Sequence, residues 1–106
     1  ARLLLNDGAA FDAVICQNDV LARGCIEELE RNGCRVPQDV AVIGHDNSPD
    51  YVSYAHPLLT SIDDNNEMLG RQAALCLLDA IAGHPHHGVE RVPVKLIQRE
   101  STLPLD

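Results

Sequence analysis

The sequence predicts an α/β fold built around a parallel sheet. Three patterns carry that reading. Two short apolar runs, "FDAVICQ" and "VAVIG", contain β-branched residues and lack polar alternation, as strands covered on both faces do. Apolar residues recur at helical spacing between and after such runs. Polar clusters, Gln17-Asn18-Asp19 and His45-Asp46-Asn47, follow the first two runs where a tight turn would be ordinary. Strand, helix and strand in this succession imply right-handed crossovers.

Taken in order, "ARLLLNDG" reads as the end of a helix stopped by Asn6, Asp7 and Gly8, as expected of a piece of a longer protein. A first strand is expected over 11–16. Ala22, Cys25 or Ile26, and Leu29 then share one helical face, with Glu27 and Arg31 placed i, i+4 outside. Asn18 or Asp19 can cap this helix, and Gly33 suits its left-handed stop. Pro37 marks a turn before a second strand near 39–44. Residues 45–57, "HDNSPDYVSYAHP", form a loop too long for a plain connector. "LLTSI" is a third strand. Asn65 or Asn66 can cap a second long helix, whose stripe of Leu69, Ala73, Cys76, Leu77, Ala80 and Ile81 ends at Gly83. "HPHHG" is a turn, and a fourth strand is expected over 93–98. Two full helices cannot cover both faces of such a sheet, so the rest of a parent protein or a partner chain is expected to do so.

Composition limits the function. The 106 residues suit one small domain, 45% of them hydrophobic, with Phe11, Tyr51 and Tyr54 the only aromatics. The core must be Leu, Val, Ile and Ala. The net charge is −8, and the eight basic residues are scattered, which excludes a basic face for nucleic acid. Cys16, Cys25, Cys34 and Cys76 form no C-x-x-C pair, and read as reduced thiols of a cytoplasmic protein. No secretory signal is expected, and no apolar run reaches membrane-spanning length.

In open α/β sheets, ligands bind beyond the carboxyl ends of the strands. The first strand delivers Asn18 and Asp19 there, and the second delivers His45 and Asp46. A carboxylate accepting from two hydroxyls, beside an amide that donates and accepts, suits a polyhydroxylated ligand. Asp19 reads as a helix cap first, whereas for Asn18 the cap and the binding reading are balanced. His84, His86 and His87 lie in a Pro/Gly turn and read as solvated. Asp63 and Asp64 are adjacent and point apart, and no nucleophile motif is present. No catalysis, cofactor or metal is expected.

Five strings, "AVICQNDVLARG", "NGCRVPQDVAVIGHDN", "HPLLTSI", "LGRQAALCLLDAI" and "LIQREST", occur in an order and spacing that resembles the LacI/GalR family of bacterial transcriptional regulators. The resemblance covers nearly all of residues 8–104. It implies a periplasmic binding protein type I fold, here the C-terminal portion of an effector-binding domain. Residues 1–62 would be mainly C-terminal subdomain, and 63–106 a crossover returning to the N-terminal subdomain. It further implies effector contacts at Asn18, Asp46, Asp64 and Asn66, with Asp19 opening the helix, and a homodimer contact near Arg23 and Tyr54. Several relatives place an aromatic near Asn66, and this chain does not. The effector would be a small molecule, carbohydrate or nucleoside-like, and operator DNA would be met only through an N-terminal headpiece. A periplasmic sugar-binding protein shares the fold. A phosphoryl-accepting domain would need a lysine at a strand end, and Lys95 is expected mid-strand.

Overall fold

The computed structural model describes residues 1–8, 10–85 and 87–102. His86 of the histidine turn therefore lies outside the described residues. The elements are α1 (Arg2–Asn6), β1 (Ala13–Ile15), α2 (Asp19–Arg31), β2 (Ala41–His45), α3 (Pro49–Val52), β3 (Thr60–Asp63), α4 (Asn66–Ile81) and β4 (Lys95–Ile97). Every expected strand and long helix forms, the strands shorter than expected. The Asp- and Pro-rich loop contains a short helix, α3, started by Pro49 at a position where a missing N–H costs nothing. Gly33 (φ +82) and Gly83 (φ +88) follow α2 and α4 in the left-handed conformation that ends helices.

The sheet order is β1-β2-β3-β4. β1, β2 and β3 run parallel, with Val14 beside Val42 and Gly44 beside Ser61. β4 does not continue the parallel pattern. It pairs antiparallel with β3, Ile97 opposite Ser61 and Lys95 opposite Asp63. The reason lies in α4. A parallel fourth strand needs its crossover helix packed on the sheet, whereas α4 buries none of its residues. Its 16 residues, about 24 Å of helix, carry the chain away from the sheet and help give extents of 59 × 27 × 26 Å. The chain then re-enters beside the carboxyl end of β3.

β4 and the residues after it thus pair back onto the sheet beside β3. Ser101 closes the gap below the β2–β3 pairing. Its carbonyl accepts from Val42 N–H and its N–H donates to Leu58 O (2.8 and 2.9 Å). Its hydroxyl donates to Val42 O at 2.6 Å and accepts from Thr60 N–H at 2.8 Å.

The core lies between α2 and the sheet: Ala22, Cys25, Ile26 and Leu29 meet Val36, Val40, Val42, Val52 and Leu59. It is aliphatic, as the composition requires. Among the described residues no buried side-chain polar atom lacks a partner. The stripe on α4 stays open, with Leu69, Leu77, Leu78 and Ile81 at least half exposed. Among the described residues no helix is long and apolar enough to cross a membrane.

Candidate functional site

β1, β2 and β3 point the same way, so the segments after Ile15, His45 and Asp63 gather at one end of the sheet. Asn18, not Asp19, caps α2. Its Oδ1 accepts from Leu21 N–H at 2.9 Å, in extended backbone (φ −153°). The expectation of Asp19 as cap is corrected on this point. Asp19 stands one residue into the helix, 1% exposed, and its carboxylate accepts from Ser48 N–H at 2.7 Å and the Ser61 hydroxyl at 2.6 Å. It is a buried tie between α2, β3 and the loop after β2, and it does not open onto a cleft. Gly44 makes this tie possible. A Cβ there would collide with Asp19 Oδ1 and lie 3.0 Å from Leu59.

Asp46 and Asn47 both take positive φ (98° and 50°), conformations that Asp and Asn tolerate better than other non-glycine residues. Asp46 is anchored through its N–H to Ile62 O at 2.9 Å, which leaves its exposed carboxylate facing outward. His45 stands between two carboxylates: Nδ1 lies 3.4 Å from Asp46 Oδ1 and Nε2 3.2 Å from Asp64 Oδ1. A neutral imidazole carries one N–H and can donate to only one of them. His45, Asp46 and Asp64 each offer one ligand atom, all within 4.8 Å of one another. Such a set accepts from ligand hydroxyls, and its donors would also suit a divalent cation.

Around this trio lies a second ring of bonds. Asn47 N–H donates to Ser61 Oγ (3.1 Å), and Asn47 Nδ2 donates to Asp63 Oδ2 (3.1 Å). Asp63 Oδ1 accepts from Asn65 N–H at 2.8 Å. Arg99 donates to Asn47 Oδ1 and Leu59 O, both at 2.8 Å. Asn66 opens α4 and is exposed. Asn65 precedes it in left-handed backbone (φ +54°) without a side-chain cap bond. The tertiary structure therefore brings Asp46, Asp64 and His45 together, withdraws Asp19 behind them, and spends Asn18 Oδ1 on the cap.

Arg23 departs from its expected place at a dimer contact. It is 4% exposed and donates to Tyr51 O, Pro57 O and Val52 O at 2.6, 2.8 and 3.3 Å. Its guanidinium sits 5.1 Å over the Tyr54 ring, and burial pushes its pKa down. A planar fork with five donors suits three convergent carbonyls, so Arg23 fastens the 51–57 loop from inside. Tyr54 remains 58% exposed. Lys95, expected mid-strand, opens β4 level with Asp63.

Two concavities lie away from the His45–Asp46–Asp64 trio. One of about 810 Å³ is bounded by Glu30, Pro37, His56 and Glu100. Another of about 610 Å³ is bounded by Cys16, Leu21 and Cys25. Cys25 is lowered to about 7 by the hydrogen bond from the Cys16 thiol, which is itself pushed up. Two carboxylates and an imidazole without an opposite wall fit half of a two-sided cleft. The residues that composition and spacing missed are Ser61, Asn47, Asp63 and Arg99. Asp64 is implied by the resemblance alone; adjacency gives no sign that Asp63 holds Asn47 while Asp64 faces His45.

The profile of the periplasmic binding protein-like domain matches residues 2–102. The HTH-type transcriptional repressor CytR of Escherichia coli is 39% identical over 94 residues, 88% of this chain and 27% of that protein. Among solved structures, the lac repressor dimer bound to operator and the anti-inducer ONPF superposes with a TM-score of 0.89 at 32% identity, over 96% of this chain and 35% of that one. The transcriptional regulator CelR–cellobiose complex does so with a TM-score of 0.83 at 37% identity, over 94% and 31%. The chain spans less than a third of the length of the curated relatives it matches.

Proposed function

The chain belongs to the periplasmic binding protein-like domain family, in the form carried by LacI-type regulators, and on that premise we propose that it forms one wall of an effector site in such a regulator. The observation that carries this is the convergence of Asp46, His45 and Asp64 at the carboxyl ends of parallel strands. Asp46 and Asp64 accept hydroxyls of a small polyhydroxylated effector, a carbohydrate or a nucleoside-like molecule. Asn18 contributes its amide edge beyond the cap bond, and Asn66 contributes from the start of α4. No aromatic side chain stands at Asn66, so ring stacking there is not part of this site.

The opposite wall is the N-terminal subdomain, against which the open stripe of α4 packs. Effector binding then biases closure of the two subdomains, by its differential affinity for the open and closed states. The dimer, with Tyr54 near its contact, passes that change to headpieces on operator DNA, a basic element this acidic segment lacks. The relatives are regulators, which favours this reading over a transport protein or an enzyme.

Calorimetric titration of the full-length protein with cellobiose, D-ribose, cytidine and adenosine, beside operator-binding assays, tests the proposal. Asp46→Asn removes a charged hydrogen-bond acceptor worth about 1.5–3 kcal/mol. It should weaken the effector that binds roughly 10- to 150-fold and leave effector-free operator binding intact. Unchanged affinity in Asp46→Asn would place the effector elsewhere.

A further inference from the structure

Asn47 is the point where three chain segments meet behind the His45–Asp46–Asp64 trio. Its N–H donates to Ser61 on β3, its Nδ2 to Asp63 at the end of β3, and its Oδ1 accepts from Arg99 just past β4. Asp63 and Arg99 are each fastened again, Asp63 to Asn65 N–H and Arg99 to Leu59 O. All three side chains are half-buried. Asn47 immediately follows Asp46, and Asp63 immediately precedes Asp64. The side chains of Asn47 and Asp63 thus hold together the two backbones that carry the trio.

We propose that Asn47, Asp63 and Arg99 are positioning residues, an amide–carboxylate–guanidinium clamp that sets the spacing of Asp46, His45 and Asp64. As a device for effector recognition it rests on the reading above; as a clamp on the trio it does not. The amide at position 47 is chemically specific. It must donate to one anion and accept from one cation at the same time, and its backbone is left-handed (φ +50°). Aspartate has the same shape and tolerates that backbone, and it keeps the Arg99 contact, but it turns a carboxylate toward Asp63. Exchanging the two residues restores one donor facing one acceptor, with the amide now at position 63.

The experiment is a charge-exchange cycle in the full-length protein: Asn47→Asp, Asp63→Asn and the double variant, followed without effector. The readouts are hydrogen exchange at the amides of Asp46 and Asn65, and the ¹⁵N shifts of the His45 ring. In Asn47→Asp, exchange protection at both amides should fall about tenfold and the His45 signals should move, while the global melting transition stays cooperative. The double variant should recover most of both changes. The proposal is overturned if Asn47→Asp leaves the amides and His45 as in the wild type. It is equally overturned if the double variant is no closer to wild type than the single. Because neither readout uses a ligand, a failed search for the effector would count against the proposed function and leave this result standing.

Discussion

Replacing Asp19 separates a helix cap from a buried tie. Its carboxylate is 1% exposed and accepts two hydrogen bonds, from Ser48 N–H and from the Ser61 hydroxyl. Bonds to a charged group contribute about 1.5–3 kcal/mol each, and an acid in the first turn of a helix gains about 0.3–1 kcal/mol from the helix dipole. Removing the ion also relieves its desolvation, which offsets part of this sum. Asp19→Ala should therefore lower stability by about 3–5 kcal/mol. Asp19→Asn should cost less, about 1–2 kcal/mol. Its oxygen still accepts from Ser48, and its amide can donate to Ser61 once that hydroxyl turns. Asn18→Ala removes one cap bond, at about 0.5–2 kcal/mol. Urea unfolding of the three full-length variants, compared by midpoint at constant slope, gives the ranking. If Asn18→Ala is as damaging as Asp19→Ala, the buried-tie argument is wrong.

Gly44→Ala should destabilise by about 1–3 kcal/mol or more through overpacking, because its Cβ meets Asp19 and Leu59. Gly24→Ala, in open space on α2, should instead stabilise by up to about 1 kcal/mol, and thermal melts of the pair distinguish the two sites. Arg23→Lys gathers its donors on one nitrogen and cannot span carbonyls met by Nε, Nη1 and Nη2 separately, so the loop at 51–57 should become more sensitive to limited proteolysis, with a loss of about 1–3 kcal/mol; a loop as resistant as wild type would contradict the fastening role. Asp39 is lowered to about 2 by hydrogen bonds from the side chain and backbone of Arg35, against about 3.9 for a free aspartate. Its contribution is therefore complete above about pH 4 and lost as pH falls through about 2. Arg35→Gln should flatten the pH dependence of melting in that interval, and an unchanged acid limb would refute the assignment.

Much of the fold was legible in local patterns. Val42 packs under α2 with Val14 against it, whereas Ile15 of the same apolar run is 73% exposed, so the missing alternation marks a second face that the described residues leave open; the stripe through Ala22, Ile26 and Leu29 is the face that α2 buries. The stops at Gly33 and Gly83 follow from backbone freedom alone. The polar cluster after the second strand points to Asp46, and the ordered strings of the family point to Asp64. Other features could not be read from local patterns, because they depend on what a residue meets across the chain. Asn18 and Asp19 are both competent caps, and Gly44 together with the Ser61 hydroxyl decides that Asp19 turns inward while Asn18 caps. Arg23 sits on a helix face that periodicity cannot distinguish from a surface. Three carbonyls from residues 51, 52 and 57 convert it into an internal tie. The direction of β4 rests on whether α4 packs against the sheet. An apolar stripe states only that a face will be covered, and the tertiary arrangement determines what lies opposite it.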